Sequence, residues 1–169
     1  MPTPDVDVAA MVDVLLKHKV KFLIIGGFAI ELHDVPVPPT RDVDVTPDME
    51  AKNLTRLAAA LNELGARLRV PGGSPEGVEI PGGVKASRMA NMVSIAFVTS
   101  AGPLDVSLRP DGTSGYEDLA QNVEIIRFQD RALPVAALQD VIRSKEAAGR
   151  EKDLIVLPAL REHLRRRSS

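Results

Sequence analysis

Phe22-Leu23-Ile24-Ile25-Gly26-Gly27-Phe28-Ala29-Ile30-Glu31-Leu32-His33, followed across a proline-rich loop by Thr40-Arg41-Asp42-Val43-Asp44-Val45, is the stretch whose reading decides the fold. Val20 to Ile25 is a short run rich in branched apolar residues, stopped by Gly26-Gly27, and it reads as a buried strand entering a tight turn. Phe28 to Leu32 reads as a short helix. Pro36, Pro38 and Pro39 forbid regular helix between His33 and Thr40 and favour an extended loop. Arg41 to Val45 alternates charged and apolar residues, the pattern of a second strand.

On that second strand, residues i and i+2 point the same way, so Asp42 and Asp44 project from one face while Val43 and Val45 project from the other. Two convergent carboxylates suit a hard divalent cation, which takes oxygen ligands; a wet acidic face on an edge strand is the plainer reading of the same pair. At Gly26-Gly27 the absence of side chains would let a phosphate approach the backbone, although a glycine pair is also simply a turn. Asp105 lies inside the apolar run Leu104-Asp105-Val106-Ser107-Leu108, where an unpaired charge is costly unless it faces solvent or a metal.

Working outward, Val8, Met11, Val12, Leu15 and Leu16 fall at helical spacing and predict an amphipathic helix from about Asp5 to Lys19. Thr46-Pro47-Asp48 reads as the start of a helix that runs to Leu64 and closes at Gly65. Ala66 to Val70 reads as a strand, and the glycine- and proline-rich residues 71–84 as a long surface loop or hairpin. Met92 to Thr99 and Leu104 to Leu108 form an expected hairpin around the Ser100 to Pro103 turn. A short helix over Tyr116 to Asn122, strands over Val123 to Phe128 and Arg131 to Val135, and a helix over Ala136 to Ala148 follow. The last helix is expected near Asp153, with Pro158 in its first turn or at a kink. This order of elements predicts an α/β or α+β fold, a mixed central sheet flanked by helices, with C-terminal helices.

At 169 residues, 44% of them hydrophobic, the chain is expected to form a single domain over 1–169, of which about 136–169 is a C-terminal helical part. Aromatic residues make up 3%, leaving few platforms on which bases could stack. Cys is absent, which excludes disulfides, thiolate metal sites and cysteine nucleophiles. No leader-like start and no apolar run long enough to cross a bilayer is apparent, so a cytoplasmic protein with no membrane partner is expected. The net charge of -2 is unevenly spread: the first fifty residues are mainly acidic, and Arg150, Lys152, Arg161, Arg165, Arg166 and Arg167 make the end basic. The terminal arginines read either as a phosphate-binding patch or as a frayed, solvated tail.

With strand, Gly-Gly, short helix, loop, strand carrying Asp-x-Asp and a later strand with one Asp, the chain resembles the nucleotidyltransferase fold of the DNA polymerase β superfamily. Within it, the chain is most similar to the minimal AbiEii-like and MenT-like enzymes of type IV toxin–antitoxin systems. The matching stretches are Phe22 to His33, Thr40 to Val45, Pro103 to Leu108, Gly115 to Leu119 and Leu138 to Leu154. The resemblance implies a phosphate-binding turn at Gly26 and Gly27 with Thr40 beside it, a metal pair in Asp42 and Asp44, and a third carboxylate in Asp105. It further implies a nucleotide-phosphate lysine in Lys145 and the acidic residue of the closing motif in Asp153, while His33, which matches the family's histidine, is expected to be structural.

The implied chemistry is Mg2+- or Mn2+-dependent transfer of a nucleoside monophosphate from an NTP, with release of pyrophosphate. The implied acceptor is RNA, at a tRNA 3' end, and the implied partner a cognate antitoxin. Modification of a protein hydroxyl is the alternative acceptor reading, and a catalytically silent binding module is a third, against which the presence of all three aspartates argues. Three departures stand out: Gly27 replaces the serine of the commoner form, Pro38 and Pro39 lie where relatives often carry an arginine, and the loop to Asp42 is slightly long.

Overall fold

In the computed structural model, which describes residues 6–169, the branched apolar run becomes β1 (Phe22–Ile25) and the Asp-x-Asp segment becomes β2 (Val43–Pro47). The other strands are β3 (Arg67–Leu68), β4 (Ser94–Thr99), β5 (Gly102–Ser107), β6 (Glu124–Phe128) and β7 (Arg131–Val135), joined in one seven-stranded sheet of order β3-β4-β5-β2-β1-β7-β6. The sheet is mixed: β2 pairs parallel with β5 and β1 parallel with β7, while β1–β2, β3–β4, β4–β5 and β6–β7 are antiparallel. The expected mixed sheet flanked by helices is what forms.

Among the described residues there are seven helices: α1 (Val8–Lys17), α2 (Gly26–Leu32), α3 (Ala51–Glu63), α4 (Ala86–Met89), α5 (Tyr116–Ala120), α6 (Leu138–Ala148) and α7 (Glu151–Arg167). α1 packs on α3 and α3 on α4, while α6 packs on both α2 and α7. One apolar cluster runs through Met11, Leu15, Phe22, Val43, Leu57 and Leu160. Phe28 and Phe128 meet edge to face at 5.6 Å, and with Phe22 and Phe97 they are the aromatic side chains of a mainly aliphatic core. Asp5, expected to begin the first helix, lies outside the described residues; Asp7 caps α1, its carboxylate accepting from the Ala10 amide at 3.0 Å.

Three expectations are corrected. Thr46-Pro47 does not open a helix but ends β2, because Leu23 and Phe22 of β1 require partners there and pair with Thr46 and Pro47. The chain then turns through Asp48, whose amide donates to the Lys21 carbonyl at 3.0 Å, and α3 begins only at Ala51. Gly26-Gly27 is not a turn ahead of a helix but the first turn of α2 itself. Pro158 lies in the interior of α7, which continues through it because Leu157 and Leu160 are buried against the rest of the fold. A short helix the sequence reading passed over, α4, follows the 71–84 loop, which crosses back to pair Val78 with Leu68.

Buried Asn53 fastens α3 to the β1–β2 end of the sheet. Its Oδ1 accepts from the Lys21 amide at 2.7 Å, and its Nδ2 donates to the carbonyls of Lys21 at 2.9 Å and Asp48 at 2.7 Å. Removing that amide strands several backbone groups, each worth about 1 kcal/mol when satisfied and more when buried without a partner. Asn53→Ala is therefore expected to lower stability by roughly 2–4 kcal/mol. Urea unfolding measures it, and a loss below about half a kcal/mol would remove Asn53 from this role.

Candidate active site

The parallel register of β2 on β5 sets Val43 against Leu104, Asp44 against Asp105 and Val45 against Val106. Alternation then buries Val43, Val45, Leu104 and Val106 in the core and turns Asp44 and Asp105 together to the other face. Asp42 precedes β2 by one residue. Its position is fixed by a local clip, in which the Asp42 amide donates to the Thr40 hydroxyl at 3.2 Å and the Thr40 amide donates to the Glu31 carboxylate at the end of α2.

Gly26 and Gly27 are required by close approach. At Gly26, whose φ is +67°, a Cβ would fall 2.2 Å from Oδ2 of Asp44, so the carboxylate rests against bare backbone. At Gly27 a Cβ would fall 2.9 Å from Cβ of Thr40. The second contact gives a physical reason for the departure at Gly27: a serine there would push away the threonine that orders Asp42.

Burial, then the charges of Asp105 and Asp42, push the Asp44 carboxyl up to about 7, with Lys145 opposing. Burial likewise raises Asp105, against the pull of the Arg69 guanidinium and of a hydrogen bond with Asp44. The two carboxyls titrate as a pair. Arg69 itself spans the group, with Nη2 2.7 Å from Oδ1 of Asp105 and Nη1 3.6 Å from Oδ1 of Asp42.

These carboxylates open into a cleft of about 590 Å³, which Gly26, Gly27 and Thr40 also line. Across the cleft stand Lys145 of α6, then Arg150 and Lys152 at the start of α7. Asp153 does not line the cleft. It is fully buried behind, accepting from Lys145 Nζ at 3.0 Å and from Arg150 Nε at 2.7 Å. Burial alone would raise its carboxyl, but Arg150 and Lys145 outweigh that and hold it below the usual range. Buried His33 also stays out of the cleft: its Nε2 faces the Ala136 carbonyl at 2.8 Å and its Nδ1 faces Arg167 at 3.2 Å, the contacts of a structural histidine.

Arg69, Glu31 and the inward role of Arg150 escaped the sequence reading. Arg69 stands in a two-residue strand's shadow, and only the sheet order brings it to Asp105, 36 positions on.

Among the described residues no group of three or more His, Cys, Asp or Glu is arranged to hold a metal ion as it stands. Oxygen ligands are nevertheless in place. Burial and the charges of Asp105 and Asp42 push Asp44 up to about 7, and the Arg69 guanidinium lies against Asp105 and Asp42. Such a hard, anionic donor set fits a divalent cation once Arg69 has moved aside.

The raised Asp44 pKa has a consequence for stability. A folded value above the unfolded 3.8 stabilises fully below about pH 4, and that contribution is lost as pH rises through about 7. In cation-free buffer, the stability of wild type relative to Asp44→Asn is expected to fall across this window by up to roughly 4 kcal/mol. Urea unfolding of both proteins from pH 4 to 8 checks it, and a constant difference between them would refute the shift.

No protein-family model matches the chain, and no curated protein matches it. Solved structures do. The lincosamide antibiotic adenylyltransferase LnuA, lincomycin-bound, is similar with a TM-score of 0.62 at 13% identity, over 92% of this chain and 94% of that one. The antibiotic-resistance factor ANT(2'')-Ia gives 0.59 at 14% identity, over 93% and 82%. A putative nucleotidyltransferase from Thermotoga maritima gives 0.54 at 15% identity, over 89% and 88%. The chain has the nucleotidyltransferase fold.

Proposed function

We propose that the protein transfers a nucleoside monophosphate from an NTP to an acceptor hydroxyl, releasing pyrophosphate. One observation carries the reading: Asp42, Asp44 and Asp105 line a single cleft together with Lys145 and Arg150. Mg2+ or Mn2+ held by the three carboxylates would neutralise the triphosphate and lower the pKa of the acceptor hydroxyl. Lys145 and Arg150 bind the phosphates, with Asp153 as the residue that positions both. The open backbone at Gly26 and Gly27 admits the triphosphate beside Thr40 and Asp44. Asp105 lies on the acceptor side, where the acceptor oxygen bonds to the α-phosphorus as the bond to the α,β-bridging oxygen breaks.

For the acceptor, the resemblance to the toxin enzymes supports an RNA hydroxyl, at a tRNA 3' end, and a cognate antitoxin as partner. Lys152 and Arg150 at the cleft offer RNA phosphates a cationic edge. A second reading, a small hydroxyl-bearing molecule, is favoured by the fate of the other basic residues. Arg161 pairs with Glu146, Arg165 and Arg166 with Glu162, and Arg167 with Glu124. α7 thus carries the terminal arginines as its last turn, neither a frayed tail nor a patch at the cleft. Two similar structures also hold small molecules: LnuA is lincomycin-bound, and ANT(2'')-Ia, at a TM-score of 0.50 and 14% identity, is in complex with adenylyl-2''-tobramycin.

Incubation with each labelled NTP, Mg2+, and either total tRNA or a panel of aminoglycosides and lincosamides locates the label. Label on RNA supports the toxin reading and label on a small acceptor the second. Label on neither, nor on protein, would refute the transferase. Asp42→Asn and Asp44→Asn are expected to lower turnover at least about a hundredfold in a folded protein. Asp105→Asn should reduce turnover more than NTP affinity. Asp153→Asn, by releasing Lys145 and Arg150, should raise the NTP KM roughly ten- to hundredfold with a smaller change in kcat. Steady-state and single-turnover kinetics separate the two, and an unchanged KM would remove the positioning role.

A further inference from the structure

Arg69 has a position that the transfer reaction does not explain. Its backbone is fixed at the sheet edge, the amide donating to the Ala96 carbonyl at 3.0 Å, and Ala96 pairs directly with Asp105. From there the side chain reaches over the carboxylates, about one third exposed, and engages Oδ1 of Asp105 at 2.7 Å and Oδ1 of Asp42 at 3.6 Å. It is the cation nearest to a group that burial and mutual repulsion leave short of positive charge. The guanidinium and a divalent cation would compete for the same two carboxylates. Both also carry positive charge, so neither tolerates the other at that distance.

We propose that Arg69 is a built-in counter-ion that closes the cation-free site and must leave Asp42 and Asp105 for a divalent cation to enter. The proposal rests on the metal-dependent reading above. Because the Arg69 backbone stays tied to Ala96, which lines the cleft, a displaced guanidinium stays beside it. Loading the site then lifts one charge off the carboxylates without removing it from the cleft. The free site is guarded against loss of its geometry, since Asp42 and Asp105 are held by a side chain rather than left to repel each other.

The test is Mn2+ binding to the nucleotide-free protein, followed by electron paramagnetic resonance and by calorimetry. Arg69→Met removes the charge at similar length and is expected to bind Mn2+ roughly five- to tenfold more tightly than wild type. Arg69→Lys keeps the charge without the planar fork and should fall between the two. It gives the same ordering, in smaller measure, if the Met variant does not fold. Equal or weaker binding by both variants would overturn the counter-ion role while leaving the metal reading intact, provided wild type binds and Asp44→Asn does not. Absence of Mn2+ binding in wild type and both variants at millimolar concentration would overturn both.

Discussion

Asp44 and Asp105 stand opposite each other on adjacent parallel strands, and the repulsion between them governs what can surround the site. Strand pairing fixes their spacing at the width of a sheet register, so neither can retreat without unpairing β2 from β5. Relief has to come from elsewhere. Lys145 and, from the sheet edge, Arg69 supply part of it, and protonation of Asp44, whose carboxyl burial and its neighbours push up to about 7, supplies the rest. Gly26 belongs to the same constraint, because only a residue without a side chain leaves room for Asp44 to turn toward the cleft.

The cations across the cleft face the opposite difficulty. Lys145 and Arg150 gather at the cleft, and buried Asp153 pairs with both from behind. A carboxylate with no exposure is costly unless paired and hydrogen-bonded, and here both oxygens are engaged. Asp153 therefore contributes by fixing where two positive charges point, which a surface ion pair, softened by water, could not do.

Much of the carboxylate side was legible because it depends on local rules. Alternation along Asp42-Val43-Asp44-Val45 gives the shared face, and an aspartate inside Leu104 to Leu108 marks itself by its cost in an apolar run. The cationic side was legible only as positions, since helical spacing places Lys145 on α6 but does not say that Asp153 turns inward to meet it. Arg69 left no signal: it follows a strand only two residues long, and its approach to Asp42 and Asp105 depends on the order β3-β4-β5-β2, which no local pattern encodes. The misreading of Thr46-Pro47 has the same origin. A good capping pattern lost to the need of Leu23 and Phe22 for strand partners, a tertiary demand that propensity does not contain.

The two sides of the cleft meet at Ala136, where the end of the sheet passes into α6. The Ala136 amide donates to the Ile24 carbonyl at 2.9 Å and its carbonyl faces His33 at 2.8 Å, which binds the hinge between sheet and helices to β1 and to the end of α2. Arg167, from the far end of α7, reaches the same histidine at 3.2 Å and Glu124 at 2.7 Å. α7 is consequently held by Asp153 next to the cleft and by buried Leu157 and Leu160 along its length, with Arg167 against buried His33 at its far end. A helix pinned only at its start could swing, and Arg150 and Lys152 would swing with it. Held along its length, it keeps Arg150 and Lys152 in the same cleft as carboxylates that the sheet already holds.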